Sequence, residues 1–203
     1  MLDHTDWLPF WKDFYVLDLQ LLDGHVCVSL TPDDSSLTCG GCAKPCRQIH
    51  ERVRRRVRDL PMLGHPVILD LILYRLECPD CGHCLQQVSW LDKHARLTKR
   101  LAQAAAECCA RLPVAHVADM FGLHWSTVRR LDHQRLQSLV ASLPTAQPRR
   151  LIMDEFALFK GHRYASVILD ADTRRVLYVA QDRSRRAIRP FFEQLGPECC
   201  ARI

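Results

Sequence analysis

Cys39-Gly40-Gly41-Cys42 and Cys78-Pro79-Asp80-Cys81 are the stretches that decide the fold of the N-terminal half of this chain. Each motif places two thiols on one tight turn, so that both sulfurs can reach a single tetrahedral ion at about 2.3 Å. The predicted ligands of a structural zinc ion are therefore Cys39, Cys42, Cys78 and Cys81. Four thiolates leave no coordination position open for a substrate. We expect a zinc-binding ribbon over residues 39–92.

Other interpretations of these cysteines stay open. Cys46 and Cys84 follow the two motifs closely, and either could replace a member of a pair. Buried thiols without a metal, or a redox pair, are further alternatives. The 35 residues between the motifs (43–77) exceed the usual ribbon spacing of about 15 to 20 residues. The ribbon is therefore expected to carry a long β-hairpin.

That hairpin is strongly basic. Its turn is predicted at residues 63–66, and its first strand carries Arg52, Arg54, Arg55, Arg56 and Arg58. We expect these side chains to contact the phosphates of a nucleic acid, which positions the polymer without reading its sequence. A solvated charged strand is the alternative.

Charge is unevenly distributed along the 203 residues, whose net charge is +5. Residues 1–38 have seven acids and one base, whereas residues 39–150 have eighteen bases and nine acids. A basic segment of this kind favours polyanion binding. The acid-rich N-terminus excludes a secretory signal, and no apolar run approaches the roughly 18 residues of a membrane span. We expect a cytoplasmic protein without a membrane partner.

The regions on either side of the ribbon have different periodicities. Alternating apolar residues around Asp23-Gly24 predict an N-terminal β-hairpin region at 1–38. Residues 93–141 are predicted to be helical, with one helix through Leu97 and Leu112 that ends at Pro113. Residues 142–150, with two prolines, form a linker.

A helix-turn-helix is predicted within the helical region. Gly122 is expected to take a turn with positive φ, with Val117 and Ala118 packing the first helix and Val128 packing the second. A plain helical hairpin is the alternative. The second helix would enter the major groove of DNA through Trp125, Ser126, Thr127, Arg129 and Arg130. Arg130 is the expected guanine reader, while core packing is an equal alternative for Trp125.

The C-terminal segment, residues 151–203, is predicted to be a three-stranded meander followed by a helix at about 185–195. Asp154 ends an apolar run on the first strand and could offer an oxygen ligand to a divalent ion. Acids at strand ends are common, so Asp154 alone is weak support for catalysis. Residues 201–203 are interpreted as the beginning of another strand.

Several motifs resemble one family of bacterial insertion-sequence transposases, the ISL3 family. They are the two cysteine motifs, Val-Arg-Asp-Leu-Pro at 57–61, and Met-Asp-Glu-Phe-Ala-Leu-Phe-Lys-Gly-His-Arg-Tyr at 153–164. The resemblance implies an α+β multidomain protein: a zinc-ribbon-like β domain, a helix-turn-helix, and the start of a ribonuclease H-like α/β domain at 151–203. It also implies double-stranded DNA with terminal inverted repeats as the partner, and a homo-oligomer.

The family's catalytic site implies magnesium or manganese bound by two aspartates and a glutamate, of which Asp154 matches the first. No residue of this chain matches the second aspartate or the glutamate, and Asp170 and Asp172 are interpreted as turn residues. We therefore expect a DNA-binding portion of a DDE-type transposase, incomplete in its catalytic domain and inactive alone. A zinc-ribbon and helix-turn-helix regulator without catalysis is the alternative.

Overall fold

The structure, a computed structural model, describes residues 9–160 and 163–203. Gly161 and His162 of the family motif lie outside the described residues, as do residues 1–8 of the predicted N-terminal region. The chain divides into two compact units, residues 1–141 and 142–203.

The described part of the first unit combines a β-sheet with a short 3-10 helix and three α-helices. Its elements are a 3-10 helix (Pro9–Trp11), β1 (Phe14–Leu22), β2 (His25–Pro32), β3 (Ile49–Met62), β4 (His65–Cys78), β5 (Gly82–Leu85), α1 (Lys99–Cys108), α2 (Val114–Phe121) and α3 (Trp125–Ser142). The sheet order is β1-β2-β4-β3. β5 pairs with residues 75–78 of β4, beyond the segment of β4 that pairs with β2.

Both predicted hairpins form. Asp23 and Gly24 turn between β1 and β2 with φ of 48° and 76°, as a type I′ turn requires. The β3–β4 hairpin turns at Leu63 and Gly64, while His65 already belongs to β4. The pairing of β2 with β4 is parallel, which the sequence did not indicate. It joins the N-terminal hairpin and the ribbon hairpin into one sheet.

Side-chain alternation gives this sheet two faces. On the core face, Val67, Leu69, Leu71 and Leu73 of β4 are buried in the main hydrophobic cluster. On the outer face, Ile68, Asp70 and Ile72 are half-buried, whereas Tyr74, Leu76 and Cys78 are covered by the loop that carries Leu37, Cys39 and Cys46. The cysteine motifs therefore lie at one end of the outer face.

The helices pack around a second cluster that includes Ala105, Val117, Ala118, Val128 and Leu131. α1 begins at its N-cap Thr98, whose hydroxyl accepts a hydrogen bond from the Leu101 N–H. It ends at Cys108, four residues before the predicted end, because the backbone tightens into turns over residues 109–111. Pro113 is instead the N-cap of α2.

The second unit contains the predicted meander, β6 (Leu151–Phe159), β7 (Arg163–Asp170) and β8 (Val176–Gln181), followed by α4 (Arg185–Leu195) and α5 (Pro197–Cys200). All strand pairs are antiparallel in the order β6-β7-β8. The expected strand at 201–203 is wrong: Ala201 and Arg202 form a turn, because their N–H groups donate back to Pro197 and Cys199.

Among the described residues, no helix is long and apolar enough to cross a membrane.

Candidate functional site

The two cysteine motifs bring four sulfurs together. The Sγ atoms of Cys39, Cys42, Cys78 and Cys81 all lie within 4.8 Å of one another. The Cys42 and Cys78 sulfurs are 3.7 Å apart, close to the roughly 3.8 Å edge of a tetrahedron with zinc–sulfur bonds of about 2.3 Å. The donor set and its spacing fit a zinc ion.

Cys46 and Cys84 lie outside this cluster. The Cys46 Sγ is 3.2 Å from the Glu77 carbonyl oxygen, and the Cys84 Sγ is 3.6 Å from that of Cys81. Both thiols thus donate to backbone oxygens. The geometry favours the four-cysteine set over the substitutions that the sequence left open.

The glycines of the first motif permit the close approach of the second motif. A Cβ on Gly41 would lie 2.9 Å from the Cys81 sulfur, and one on Gly40 would lie 2.4 Å from the Leu85 carbonyl oxygen. Real Cβ atoms do not approach this closely. Gly41 is therefore required by the packing of the two turns, and Gly40 by the packing of the first turn against β5.

Electrostatics within the cluster favour at least one thiolate. The N–H groups of Cys42 and Gly41 point at the Cys39 sulfur and lower the pKa of Cys39 to about 6. The neighbouring Cys42 sulfur raises the pKa of Cys81 to about 12, because sulfurs this close cannot all ionise without a cation. A divalent ion would remove that repulsion, since metal-bound cysteines are deprotonated.

The arginines of β3 separate into different environments. Arg52, Arg54 and Arg56 are exposed on the outer face. Arg54 forms an ion pair with Asp70, and the Arg52 guanidinium lies 5.8 Å from the centre of the Tyr74 ring. These three side chains form a cationic strip, which we call the β3 strip.

Arg55 and Arg58 are engaged within the protein. Arg55 is on the core face, where it donates to the Ala95 carbonyl, and burial lowers its pKa. Arg58 shares the parity of the β3 strip but donates to the carbonyls of Phe121 and Gly122, at 2.9 and 3.1 Å. The predicted set of five phosphate contacts thus reduces to three accessible arginines.

The helix-turn-helix geometry is present in α2 and α3. Gly122 caps α2 in the left-handed region, with φ of 57° and ψ of 39°. Val117 and Val128 are fully buried, and the Leu123 N–H donates to the Ala118 carbonyl across the turn at 2.9 Å. The predicted roles of Gly122, Val117 and Val128 in this motif are confirmed.

The N-terminal end of α3 presents most of the predicted DNA-contacting residues to solvent. Trp125 is 47% exposed, which rejects core packing, and the Arg129 guanidinium lies 5.3 Å from the centre of its ring. Ser126 and Arg130 are exposed, whereas Thr127 is half-buried. Just before α3, the His124 Nδ1 accepts a hydrogen bond from the Ser126 N–H, with the two nitrogens 3.3 Å apart.

A buried carboxylate connects the sheet to the helices. Asp59 on β3 is 0% exposed. It accepts hydrogen bonds from Trp11 Nε1 at 2.8 Å, Thr98 Oγ1 at 2.6 Å and Arg100 Nε at 2.7 Å. Burial acts to raise the pKa of Asp59, but these donors and the Leu60 N–H outweigh it and hold the pKa below its ordinary value.

Asp59 was not predicted as a site residue, and Arg58 was predicted as a phosphate contact and not as a contact to the helices, although a signal existed. Position 59 has the parity of Val53 and Val57, which predicts an inward side chain. A charged residue at an inward strand position requires partners, and the Arg58-Asp59 pair is part of the Val-Arg-Asp-Leu-Pro motif at 57–61.

Asp154 lies on the middle of β6, opposite Val167 of β7. One of its oxygens accepts the Glu155 N–H at 2.8 Å. Adjacent residues on a strand face opposite ways, so Glu155 cannot share a metal with it on one face. Among the described residues, the cysteines are the one group of three or more side chains placed to hold a metal. Asp154 therefore has no partner ligand set there.

Asp170 and Asp172 do not supply one. Asp170 pairs with Leu151, the first residue of β6, and its carboxylate accepts from the Asp172 N–H and the Thr173 hydroxyl. Asp172 forms an ion pair with Arg150. The interpretation as a turn residue is confirmed for Asp172, whereas Asp170 is the last residue of β7 and its carboxylate holds the turn that follows.

Three domain models of transposase families match successive parts of the chain. Residues 36–87 match the zinc finger of the transposases of IS204, IS1001, IS1096 and IS1165. Residues 86–136 match the helix-turn-helix domain of transposase family ISL3. Residues 151–203 match the transposase domain of the same family, of the DDE type.

Curated relatives support the same assignment. The chain is 43% identical over 177 residues to the transposase for insertion sequence element IS1001 of Bordetella parapertussis, covering 87% of this chain and 44% of that protein. It is 26% identical over 172 residues to the transposase for IS1557 of Mycobacterium tuberculosis, covering 81% and 38%. The chain thus spans less than half the length of these relatives. No solved structure matches it.

Proposed function

Because this chain belongs to the ISL3 family of insertion-sequence transposases, we propose that it is the DNA-binding portion of a DDE-type transposase and recognises the terminal inverted repeats of its element. The observation that carries the proposal is the exposed N-terminal end of α3. There Trp125, Arg129 and Arg130 project from a helix whose other side is anchored by Val128. A helix presented in this way can enter a major groove.

Two surfaces contact DNA in this proposal, one through the bases and the other through the phosphates. Arg130 and Arg129 on α3 are the base-reading candidates, because the planar guanidinium can bond guanine O6 and N7 together. Ser126, Thr127 and Trp125 border them. The β3 strip of Arg52, Arg54 and Arg56 contacts phosphates and sets the orientation of the duplex.

Zinc holds the ribbon in shape. Cys39, Cys42, Cys78 and Cys81 are its ligands in this proposal, and the ion supplies cross-links between the loop before β3 and the end of β4. Metal binding and ribbon folding are then coupled. The role is structural, since the four sulfurs fill the coordination shell.

Strand cleavage and transfer belong to the complete transposase in this proposal. There Asp154 is a ligand for magnesium or manganese within a ribonuclease H-like domain. Two such metal ions, when bound, would activate the nucleophile and stabilise the leaving oxygen. The chain alone is inactive in our proposal, because Asp154 lacks partner ligands among the described residues. We further propose a cytoplasmic protein that is a homo-oligomer when complete.

DNA binding is tested with the zinc-loaded full chain and a mixed-sequence 30-base-pair duplex in increasing salt. We expect the affinity to fall as salt rises, and the Arg129→Ala/Arg130→Ala variant to bind more weakly. Arg189→Ala is the charge-matched control, because Arg189 lies on α4 in an exposed pair with Glu193. Absent or salt-independent binding would refute the proposal.

The catalytic part is tested separately with supercoiled DNA and manganese. We expect no cleavage by the wild-type chain or by Asp154→Ala. Cleavage by the wild type that is lost in the variant would show that a working metal site exists in this chain and that the proposed inactivity is wrong.

A further inference from the structure

Arg58 occupies an unusual place among the arginines of β3. It follows the β3 strip on the same strand face, but its guanidinium is directed at the turn between α2 and α3. One terminal nitrogen donates to the Phe121 carbonyl at 2.9 Å, and the other donates to the Gly122 carbonyl at 3.1 Å. Its Nε is buried and has no hydrogen-bond partner among the described residues. The donors of Arg58 are therefore turned into the protein and away from any DNA phosphate.

The two carbonyls that Arg58 binds belong to the C-terminal end of α2. Helix ends leave their last carbonyls without partners inside the helix and carry partial negative charge. A guanidinium satisfies both needs, and its planar fork can reach two oxygens where a lysine ammonium would act as a point charge. Glycine is favoured at position 122 by its positive φ, since a Cβ there would be in ordinary van der Waals contact, 3.6 Å from the Arg58 terminal nitrogen.

The backbone of Arg58 is attached to the helical part as well. Its N–H donates to the Arg96 carbonyl at 2.9 Å, and its carbonyl accepts from the Thr98 N–H at 3.0 Å. The next residue, Asp59, binds Thr98 and Arg100 at the start of α1. The ribbon sheet thus holds the helices at two points, the start of α1 and the turn that leads into α3.

We propose that Arg58 is a positioning residue that sets the orientation of α3 relative to the β3 strip, and so contributes to sequence specificity without touching DNA. This inference rests on the proposed function, in which α3 reads bases and the β3 strip binds phosphates. If both surfaces engage one duplex, the angle between them decides whether Arg129 and Arg130 meet the base edges when the phosphate contacts are made. Arg58 is the side chain that joins the strand of one surface to the turn of the other.

The experiment compares specific with non-specific binding. Duplexes enriched by the wild-type chain from a random library serve as the specific probe, and a mixed-sequence 30-base-pair duplex serves as the non-specific probe. For Arg58→Ala we expect the ratio of specific to non-specific affinity to fall about tenfold, the lower range for one mismatched base pair. The affinity for the mixed duplex and its salt dependence should not change.

Arg56→Ala is the matched control, because Arg56 is exposed on the same strand face. Its loss should weaken binding to both probes equally and reduce the slope of log affinity against log salt by about 0.9, the value of one phosphate contact. Arg58→Lys separates charge from geometry, since it keeps the charge without the fork. We expect Arg58→Lys to lose specificity as Arg58→Ala does.

Amide hydrogen exchange of the free protein gives a readout that needs no DNA. We expect Arg58→Ala to speed exchange at Gly122 and Leu123, whose N–H groups close the turn, and to leave the amides of α1 near Ala105 unchanged. Exchange that rises equally in α1 would show general unfolding and contradict a positioning role.

The two proposals fail in different ways. If Arg58→Ala behaves like Arg56→Ala, with a smaller salt slope and an unchanged specificity ratio, Arg58 is a phosphate contact and the inference is overturned. If the wild-type chain binds neither probe, the proposed function fails, and the inference about DNA specificity fails with it. In that case, exchange at Gly122 and Leu123 that is unchanged in Arg58→Ala would also show that the contact between Arg58 and the turn does not stabilise it.

Discussion

Replacing Asp59 with asparagine tests the connection between the sheet and the helices. The carboxylate is fully buried and accepts four kinds of donor, from Trp11, Thr98, Arg100 and the Leu60 N–H. Asparagine keeps the shape but removes the charge and places N–H groups against donors. The half-buried Arg100 guanidinium, 27% exposed, loses its counter-ion. Breaking a buried ion pair costs about 3 kcal/mol or more.

Thermal unfolding of the zinc-loaded full chain, followed by circular dichroism, measures this change. A loss of about 3 kcal/mol corresponds to a decrease in Tm of roughly 10 °C for a unit of this size. Because the folded-state pKa of Asp59 is depressed, its contribution is complete above the ordinary carboxyl pKa of about 3.9 and is lost as pH falls through the lower folded value. The difference between wild type and variant should therefore be constant above about pH 4 and shrink below it.

Asp70→Asn is the matched control. Asp70 lies on the neighbouring strand in an ion pair with Arg54, whose side chain is 78% exposed. Exposed pairs contribute between 0 and about 1 kcal/mol, so the variant should unfold within a few degrees of wild type. Equal effects of the two substitutions, or an Asp59→Asn effect below about 1 kcal/mol, would refute the assignment of Asp59 as the structural connection.

Three further changes test other parts of the structure. Cys81→Ser should reduce bound zinc from one ion per chain to none, whereas Cys46→Ser should retain it, as measured by elemental analysis after gel filtration; equal zinc loss in both would reject the ligand set. Val128→Ala should destabilise the first unit by about 2 kcal/mol in thermal unfolding, because Val128 is fully buried in the helical cluster, and a change near zero would contradict that packing. Trp125→Ala should alter stability by less than about 0.5 kcal/mol but lower DNA affinity about tenfold; the reverse result would place the indole in the core.

Local patterns predicted the parts of this fold that depend on neighbouring residues. The Asp23-Gly24 turn, the meander and the Gly122 turn each follow from the preferences of a few adjacent side chains. The parallel pairing of β2 with β4 joins segments separated by the cysteine loop and the whole of β3, and no short-range signal specifies it. The end of α1 was placed too late because apolar periodicity continues to Leu112, whereas the backbone bonds change at Cys109.

The candidate site was predictable where the chemistry requires one residue type. It was less predictable where several residues of the same type are present and only their positions in the fold distinguish their roles. Cysteine spacing identified six thiols, but only the three-dimensional arrangement separates Cys46 and Cys84 from the cluster. The arginine-rich strand was recognisable, but the different roles of Arg55 and Arg58 depend on what lies against each side chain. The residue type of Arg58 suggests a phosphate contact, but its side chain binds the carbonyls at the C-terminal end of α2.

The central claim, that α3 reads base edges in a major groove, is tested most directly by methylation interference on the duplexes that the wild-type chain enriches. Dimethyl sulfate modifies guanine at N7 in the major groove, where the Arg130 fork is expected to bind. We predict that methylation at one or more guanines blocks binding of the wild-type chain, and that Arg130→Ala loses sensitivity at a guanine while keeping the rest of the pattern. Binding that is indifferent to guanine methylation, or a pattern unchanged in Arg130→Ala, would contradict the account.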